Sequence, residues 1–598
     1  MHSDGLNLVK STLLQHLIDL LQVTYPQQIW EKSLLHLEVP PDNSFGDYAF
    51  PCFPLAKMLK LAPPVIAQRL EEEWKKNLSP LLFVEHIIAK GGHLNFMLSQ
   101  KDLVTTYIPL ISDKSFFDVH QLHLPDKDKH IMLEFSQPNT HKEFHVGHGR
   151  NVCLGDSLQR LYRYFGYKVT AVNYIGDEGA HIAKCLYQVE QYQVQGHCLP
   201  DGEQLAEWLG QQYVESNLCL EEAQKNPVLL ASIQKRISQI LADIEQQRDP
   251  IYSLWKNTRN VCLKEFQRIY QWLHVHFDHV FYESETSQAS QKVVDDYTQK
   301  GLFVNSQGAI GMPMEEANLG FMMVRKSDGN TLYITKDIVL AERKFRDFKV
   351  DKSLYIVGNE QEFHFRQLFH FLKKANFPQA DNCYHLSYGM VRRASGKMSS
   401  RKGNSFTFME LTELLKQALE PFLDKYKTQW TTEQLAQTAD TLAIGAIKYG
   451  MLNTDPKKDI VFEPQEWAQF EGNSGPYLLY AYARARSLIE KGLLQGCVPH
   501  LTSRSAQYLS GATEKHLLLE LSRFQEVCFN TLEQYRPSLL AHYLFQLCQL
   551  FNHYYAHTPV LKDKDKESIE SKLILIECFA NSLKQGLFLL GIETVEKM

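Results

Sequence analysis

An apolar run, Ile131-Met132-Leu133, is followed closely by His145-Val146-Gly147-His148. A strand running into a helix opened by His-x-Gly-His restricts the chain to a parallel, nucleotide-binding type of sheet. The helix N-terminus offers backbone N–H groups, the glycine lets a ligand approach the backbone, and two imidazoles add polar contacts to a polyphosphate. Far downstream, Lys397-Met398-Ser399-Ser400 supplies a cation for the other side of the same polyphosphate. With 24 His and 31 Gly in 598 residues, His-x-Gly-His arises by chance about 0.05 times per chain. Alone the motif is only suggestive, because a helix histidine is more often a satisfied surface or core side chain. Both motifs in this order imply transfer of an adenylyl group from ATP.

A chain of this length exceeds one hydrophobic core and should hold about three or four domains. Apolar content of 44% and charged content of 22% are those of an ordinary globular protein. The formal charge of −6 means that any nucleic acid must be met by local basic patches. Eleven scattered cysteines without a Cys-x-x-Cys pair argue against a structural zinc site and fit a reducing compartment. No basic leader and no run of about 18 apolar residues is present, so neither a signal peptide nor a membrane span is expected, and the cytoplasm is the expected location.

Leu13, Leu14, Leu17, Ile18 and Leu21 recur at helical spacing in a first amphipathic helix. A second helix through Val65 to Trp74 and two strands around Gly91-Gly92 complete a small α+β module. A β-α-β unit follows, with strand Ile131 to Phe135, helix His145 to Phe165 and strand Val169 to Tyr174, closed by Gly176-Asp177. Residues 182–268 read as a helical insertion rich in Gln and Glu. The α/β signal returns at Ala309 to Met312, Gly320 to Val324 and Ser353 to Gly358, and from Glu410 onward the pattern is that of a helix bundle. The expected division is an N-terminal domain over 1–117, a Rossmann-type parallel-sheet domain over 118–409 and an all-α domain over 410–598.

Glu134 and Asn139 stand at the carboxyl end of the first strand, where parallel sheets bind ligands. On position alone, Glu134 is equally a ligand group or a helix-capping acid. Tyr333 and Asp337, four residues apart, share one face of a starting helix. A phenol beside a carboxylate is a good cradle for a planar guanidinium, although by itself the pair also reads as a surface Tyr and a first-turn Asp. Between Arg392 and Lys402, five basic side chains fall within eleven residues flanked by glycine, which suits a loop that closes over phosphates.

On these segments the chain resembles the arginyl-tRNA synthetases, a family of class I aminoacyl-tRNA synthetases. Further matching segments are Asn173-Tyr174-Ile175-Gly176-Asp177, Leu332 to Asp337, Phe470 to Tyr477, Phe551-Asn552-His553-Tyr554-Tyr555 and Leu590-Gly591-Ile592-Glu593. The resemblance covers nearly the whole chain. It implies an N-terminal module that touches the tRNA corner, a Rossmann catalytic domain and a C-terminal anticodon-binding bundle. It also implies activation of L-arginine by ATP with Mg²⁺ on the phosphates, transfer to the 3′ end of tRNA(Arg), no zinc, and a monomer. By matching position, Glu134, Tyr333 and Asp337 would hold the guanidinium, and Asn139 and Gln361 the α-amino and carboxylate ends. His145, Gly147, His148, Gly176 and Asp177 would bind ATP, with Lys397, Met398 and Ser399 at its phosphates. Lys142, His145, His148 and Lys397 would carry the catalytic charge. Tyr477, Tyr480, Arg484 and Met598 would meet anticodon bases. The family's loop usually has a second lysine where this chain has Ser400, and Lys142 would offset that loss. Gln137 stands where many relatives have serine.

Two competing readings are distinguishable by residue type. A glutamate enzyme of the same class would call for arginines at Glu134 and Asp337, and a cysteine enzyme for a zinc-thiolate site. An inactive paralogue acting as an RNA-binding scaffold would be expected to have lost His145, His148 or Lys397, and all three are present.

Overall fold

The computed structural model describes residues 6–598 apart from 41, 43, 44, 77–80, 121, 123, 203, 328, 330 and 394–405. Lys397, Met398 and Ser399 therefore lie outside the described residues.

The first helix, Leu8–Thr24, starts where the Asn7 side chain accepts a hydrogen bond from the Lys10 amide. Its Val9, Leu13, Leu17, Leu20 and Leu21 are buried, as the leucine spacing predicts. Strands Tyr48–Pro51, His93–Leu98 and Val84–Lys90 form an antiparallel sheet with His93–Leu98 in the middle. A short helix, Phe53–Leu59, precedes the expected one at Pro63–Lys76. Lys10 pairs with Glu526 at 2.7 Å, fastening this module to the C-terminal helices.

The central sheet has five strands, β1 (His130–Glu134), β2 (Lys168–Ile175), β3 (His279–Tyr282), β4 (Lys352–Gly358) and β5 (Cys383–Tyr388). Their order is β5-β4-β1-β2-β3, and every neighbouring pair is parallel. The chain leaves β1 towards β2 and returns to β1's other side with β4, so a topological switch point lies between β1 and β4. That is where open parallel sheets bind ligands, at the carboxyl ends of the strands.

Helix α1 (Val146–Tyr164) connects β1 to β2 and is buried almost throughout. Glycine makes that approach possible, since a Cβ at Gly155 would lie 2.1 Å from the Phe135 ring. The fully buried Arg150 of α1 donates to the carbonyls of Gly389, Asp455 and Pro456, at 2.6, 3.3 and 3.2 Å. One guanidinium thus ties α1 to the end of β5 and to a loop seventy residues further on.

The insertion consists of Ala180–Val194, Gln204–Ala223, Pro227–Glu245 and α2 (Ile251–Trp272). One expectation needs correcting. Ala309 to Met312 and Gly320 to Val324 do not rejoin the parallel sheet. They belong to an antiparallel three-stranded meander, Val304–Ser306, Ala309–Pro313 and Phe321–Arg325. The reason is chain length, because a parallel return needs a crossover of a dozen or so residues and these connections are shorter.

Helices α3 (Tyr333–Phe348) and α4 (Glu362–Lys374) flank β4 in sequence. Beyond them come Phe408–Leu423, α5 (Thr432–Leu452), α6 (Gly475–Leu494), α7 (Pro537–His557) and α8 (Lys566–Leu589), among other helices. The first of these is opened by a reciprocal Thr407–Glu410 capping box. A short parallel pairing of Val391–Arg393 with Ile460–Phe462 links segments on either side of the expected division at residue 409. No described helix is long and apolar enough to cross a membrane.

Candidate active site

The connection from β1 to α1 carries positive φ at Ser136, Gln137 and His141, a conformation that costs of order 1 kcal/mol or more per non-glycine residue unless the surroundings enforce it. They do. Asn151 Oδ1 accepts from the Ser136 amide at 2.7 Å and Asn173 Oδ1 from the Gln137 amide at 3.1 Å. Tyr270 bonds Ser136 Oγ and Asn173 Nδ2, and the Gln137 amide group bridges Glu134 Oε1 and Asn151. Gln137, the residue that differs from many relatives, is therefore a brace between the strand and α1.

His145 caps α1, and its amide donates to His148 Nδ1 at 3.3 Å. The two rings stack with centroids 3.8 Å apart. Burial, with the Lys142 charge behind it, lowers the His145 pKa to about 4. Burial, then His145 and Lys142, lowers that of His148 well below its ordinary value. Both rings are thus neutral at neutral pH. Burial next to a lysine penalises a second cation at this position. They remain directed hydrogen-bonding groups. The Phe406 carbonyl accepts from the Val146 amide and the Phe144 carbonyl from the Phe408 amide. The residues that follow 394–405 are therefore docked against the start of α1. A cleft of about 770 Å³, lined in part by Lys142, Glu143, Phe266, Thr407 and Glu410, opens beside them.

Gly176 and Asp177 end β2 in different ways. A Cβ on Gly176 would lie 2.4 Å from Asn139 Oδ1 and 3.4 Å from Glu283 Oε2, so glycine is needed for those two polar groups to meet there. Asp177 is fully buried, with its carboxylate held by Arg259 Nε at 2.6 Å and by the Ser284 amide and hydroxyl at 2.8 Å each. The Asp177 carboxylate thus ties β2 to α2 and to the turn after β3.

Tyr333, Asp337 and Lys344 fall on one face of α3 by their spacing of four and seven residues. Tyr333 is 57% exposed, with its hydroxyl 3.3 Å from where a Cβ on Gly179 would stand. Gly179 has φ +117°, which a residue with a Cβ adopts only under strain. Glu134 and Asp337, far apart in sequence, are linked through α3, where Lys344, two turns on from Asp337, pairs with Glu134. With burial as the largest cause, the charges of Asp337, Glu283 and Glu134 all raise the pKa of the Tyr174 phenol. Gln361 stands exposed in the turn after β4.

Sequence reading missed the partners of these acids. Glu134 is ion-paired with Lys344 at 2.5 Å, and the Lys344 side chain is wholly buried with its ammonium 3.7 Å from the Tyr355 ring centroid. Asp337 is paired with His364 Nε2 at 2.6 Å. Lys336 bridges Glu283 and Glu178 at 3.0 and 3.3 Å, and burial raises the Glu283 carboxyl to about 7 against the pull of Lys336. Only the spacing of Lys344 from Asp337 could have signalled any of this. Among the described residues, no group of three or more His, Cys, Asp or Glu is placed to hold a metal ion.

In the C-terminal helices, Tyr477, Tyr480 and Arg484 form one pad on α6. Asn552 of α7 donates to the Tyr477 hydroxyl at 2.9 Å and accepts from Arg484 at 2.5 Å. The Arg484 guanidinium lies 4.6 and 5.0 Å from the rings of Tyr480 and Tyr555. The tail that ends in Met598 meets α6 by another flank, where Glu596 pairs with Arg486 and Lys597 with Glu490.

A parallel sheet with its polar groups gathered at the switch point, and a helix opened by paired imidazoles, define a nucleotide-dependent enzyme of the class I synthetase type. Residues 114–464 match the family described as tRNA synthetases class I (R), catalytic domain. Residues 7–98 match the arginyl tRNA synthetase N terminal domain and 478–598 the DALR anticodon binding domain. The arginine–tRNA ligase of Bdellovibrio bacteriovorus is 37% identical over 94% of this chain and 93% of its own length. That of Halothermothrix orenii is 32% identical over 94% and 95%. The fold also matches Thermus thermophilus arginyl-tRNA synthetase with a TM-score of 0.77 at 24% identity, covering 99% of this chain and all of that one. The chain belongs to the arginyl-tRNA synthetase family, the arginine–tRNA ligases.

Proposed function

We propose that this chain joins L-arginine to the 3′ end of tRNA(Arg) in two steps, with the residues gathered at the switch point in the following roles. The arginine carboxylate attacks the α-phosphate of ATP in line, giving arginyl-adenylate and pyrophosphate, and a hydroxyl of the terminal ribose then attacks the arginyl carbonyl, forming the ester and releasing AMP. Glu134 and Asp337 grip the guanidinium with Tyr333 at the mouth, while Asn139 and Gln361 orient the other end. The observation that carries this reading is that α3, which bears Tyr333 and Asp337, is fastened by Lys344 to Glu134 at the carboxyl end of β1, the strand that leads into α1.

Little covalent chemistry falls to the protein, so rate comes from positioning and from charge placed where it develops. His145 and His148 act as neutral hydrogen-bonding groups at the phosphates, Gly147 lets them approach, and Lys142 is the described cation beside them. Lys397, Met398 and Ser399 keep their expected place at the phosphates on sequence grounds. Mg²⁺ is taken to travel with the nucleotide rather than to sit in a protein-held site. Tyr477, Tyr480 and Arg484 form a stacking surface suited to unpaired bases, with Met598 on the adjoining flank. We further divide the chain into domains over 1–117, 118–409 and 410–598. It is proposed to work as a monomer in the cytoplasm, a placement supported by eleven unpaired cysteines.

The test is aminoacylation of bulk tRNA with each of the twenty amino acids, combined with ATP–pyrophosphate exchange with and without tRNA. Charging with arginine alone, and exchange only when tRNA is present, are the expected results. Charging with another amino acid removes the pocket assignment, and full exchange without tRNA removes the coupling. A further expected result concerns Gly176→Ala. The new methyl group displaces Asn139, raising the KM for arginine at least about tenfold, the scale of one lost hydrogen bond to a charged group. An unchanged KM in steady-state kinetics would take Asn139 out of the site.

A further inference from the structure

Each of the two acids proposed to grip the guanidinium already has a cation, but the two cations differ in kind. Lys344 is completely enclosed and sits 2.5 Å from Glu134, so that pair is a fixed, internally neutral unit. His364 reaches Asp337 at 2.6 Å from α4 and is a quarter exposed. An imidazole is the side chain whose charge changes near neutrality. The charge of this wall therefore takes two values, −1 when His364 is neutral and zero when it is protonated. Only the first matches an incoming guanidinium.

We propose that His364 is a specificity-determining residue that competes with the substrate for Asp337, so that arginine binds as His364 gives up its proton. This rests on the reading of Asp337 as a guanidinium ligand. The geometry puts the two in competition for charge, because His364 Nε2 already holds Asp337 Oδ2 at 2.6 Å and, when protonated, neutralises the carboxylate that a guanidinium would pair with. Burial alone would lower the His364 pKa, but the hydrogen bond to Asp337 and its charge outweigh burial and raise it. Protonation thus persists to higher pH than in a free imidazole, and arginine affinity rises with pH. A ligand that binds only the deprotonated form loses up to about tenfold in affinity per pH unit below the pKa.

The other groups around this wall bound the interpretation. On β5, burial lowers the His385 pKa. On β2 and β4, the Tyr174 and Tyr355 phenols are raised by burial and stay protonated. On α3, Lys336 is raised by Glu283 and Glu178 against burial and stays charged, and Glu362 lies on α4 itself. Glu283, raised to about 7 by burial, titrates in the same window, so the test separates it from His364.

The experiment measures arginine binding to the full-length enzyme by calorimetry between pH 5.5 and 8.0, in buffers of different ionisation enthalpy. The proteins are the unmodified chain, His364→Gln, Glu283→Gln and Asp337→Asn, each checked for folding by circular dichroism. The unmodified chain should bind arginine more tightly as pH rises and release up to one proton on binding. His364→Gln should flatten the profile, abolish the release and bind more tightly than the unmodified chain at pH 6, while Glu283→Gln keeps the slope. A slope and proton release that survive in His364→Gln overturn the proposal, as does a loss of arginine binding in that variant at every pH. Full arginine affinity in Asp337→Asn would instead sink the underlying pocket reading.

Discussion

Replacing Asp337 by alanine is expected to raise the KM for arginine by about two to nearly four orders of magnitude while leaving tRNA affinity within about a factor of two. Breaking a largely enclosed ion pair by removing one partner costs about 3–5 kcal/mol, and each 1.36 kcal/mol is tenfold. Asp337 has only a fifth of its side chain exposed, so little solvent screening reduces the figure. The tRNA contacts proposed for α6 lie in a different part of the fold, which is why that affinity should stay. Asp337→Asn distinguishes charge from shape, because the amide keeps the volume and cannot accept a charged fork. Discrimination follows the same logic, since lysine cannot fill two planar acceptor positions and citrulline brings no charge. Steady-state kinetics with arginine, lysine and citrulline, together with filter binding of tRNA, measure all of this. A normal arginine KM in the alanine variant would place the guanidinium elsewhere.

Lys448→Met is expected to destabilise the protein by about 3–5 kcal/mol, and adding Asp156→Asn to recover most of that loss. Asp156 lies in the middle of α1 and Lys448 on α5, and both side chains are buried to within one per cent, 2.9 Å apart. Arg160 and Gln159 supply the remaining hydrogen bonds to Asp156. Burial would raise the Asp156 pKa, but Lys448 and Arg160 outweigh it and hold the carboxyl low. Without Lys448 the carboxylate is left enclosed and under-paired, whereas removing both charges exchanges the pair for neutral groups at modest cost. The end of α8 closes over the same spot. A Cβ on Gly591 would stand 2.4 Å from Asp156 and 2.5 Å from Lys448, and Ser157 donates to the Leu589 carbonyl at 3.0 Å. Three elements that carry the nucleotide helix and the proposed anticodon bundle therefore meet on one ion pair. Denaturation midpoints of the single and double variants check the energetics, and a double variant no more stable than Lys448→Met would show that the pair is not the source of the loss.

Much of the architecture was legible because it is written locally. The leucine spacing of Leu8–Thr24, the β-α-β unit around α1 and the helical run after Glu410 follow from periodicity alone. Harder to read were β3 and β5, whose short segments His279–Tyr282 and Cys383–Tyr388 carry little alternation. The meander at 304–325 was misread because a few apolar residues do not reveal whether their neighbour runs parallel. In the site, the sequence offers candidates near its motifs but does not name the partners brought in from elsewhere, such as Lys344 for Glu134 and His364 for Asp337. Asp177 shows the converse, a residue beside a motif whose side chain is consumed by Arg259 and Ser284.

By itself, then, the order of residues determined which segments become strands and helices, that α1 begins at paired imidazoles, and where acids and phenols cluster along the chain. Those properties depend on neighbours a few positions away. Tertiary structure alone decided which cation faces which acid, that His145 and His148 are uncharged, and that Lys344 is permanent while His364 is exchangeable. Coulomb energy and desolvation depend on distances of a few ångströms and on enclosure, and both are set only when strands and helices from remote parts of the chain come together.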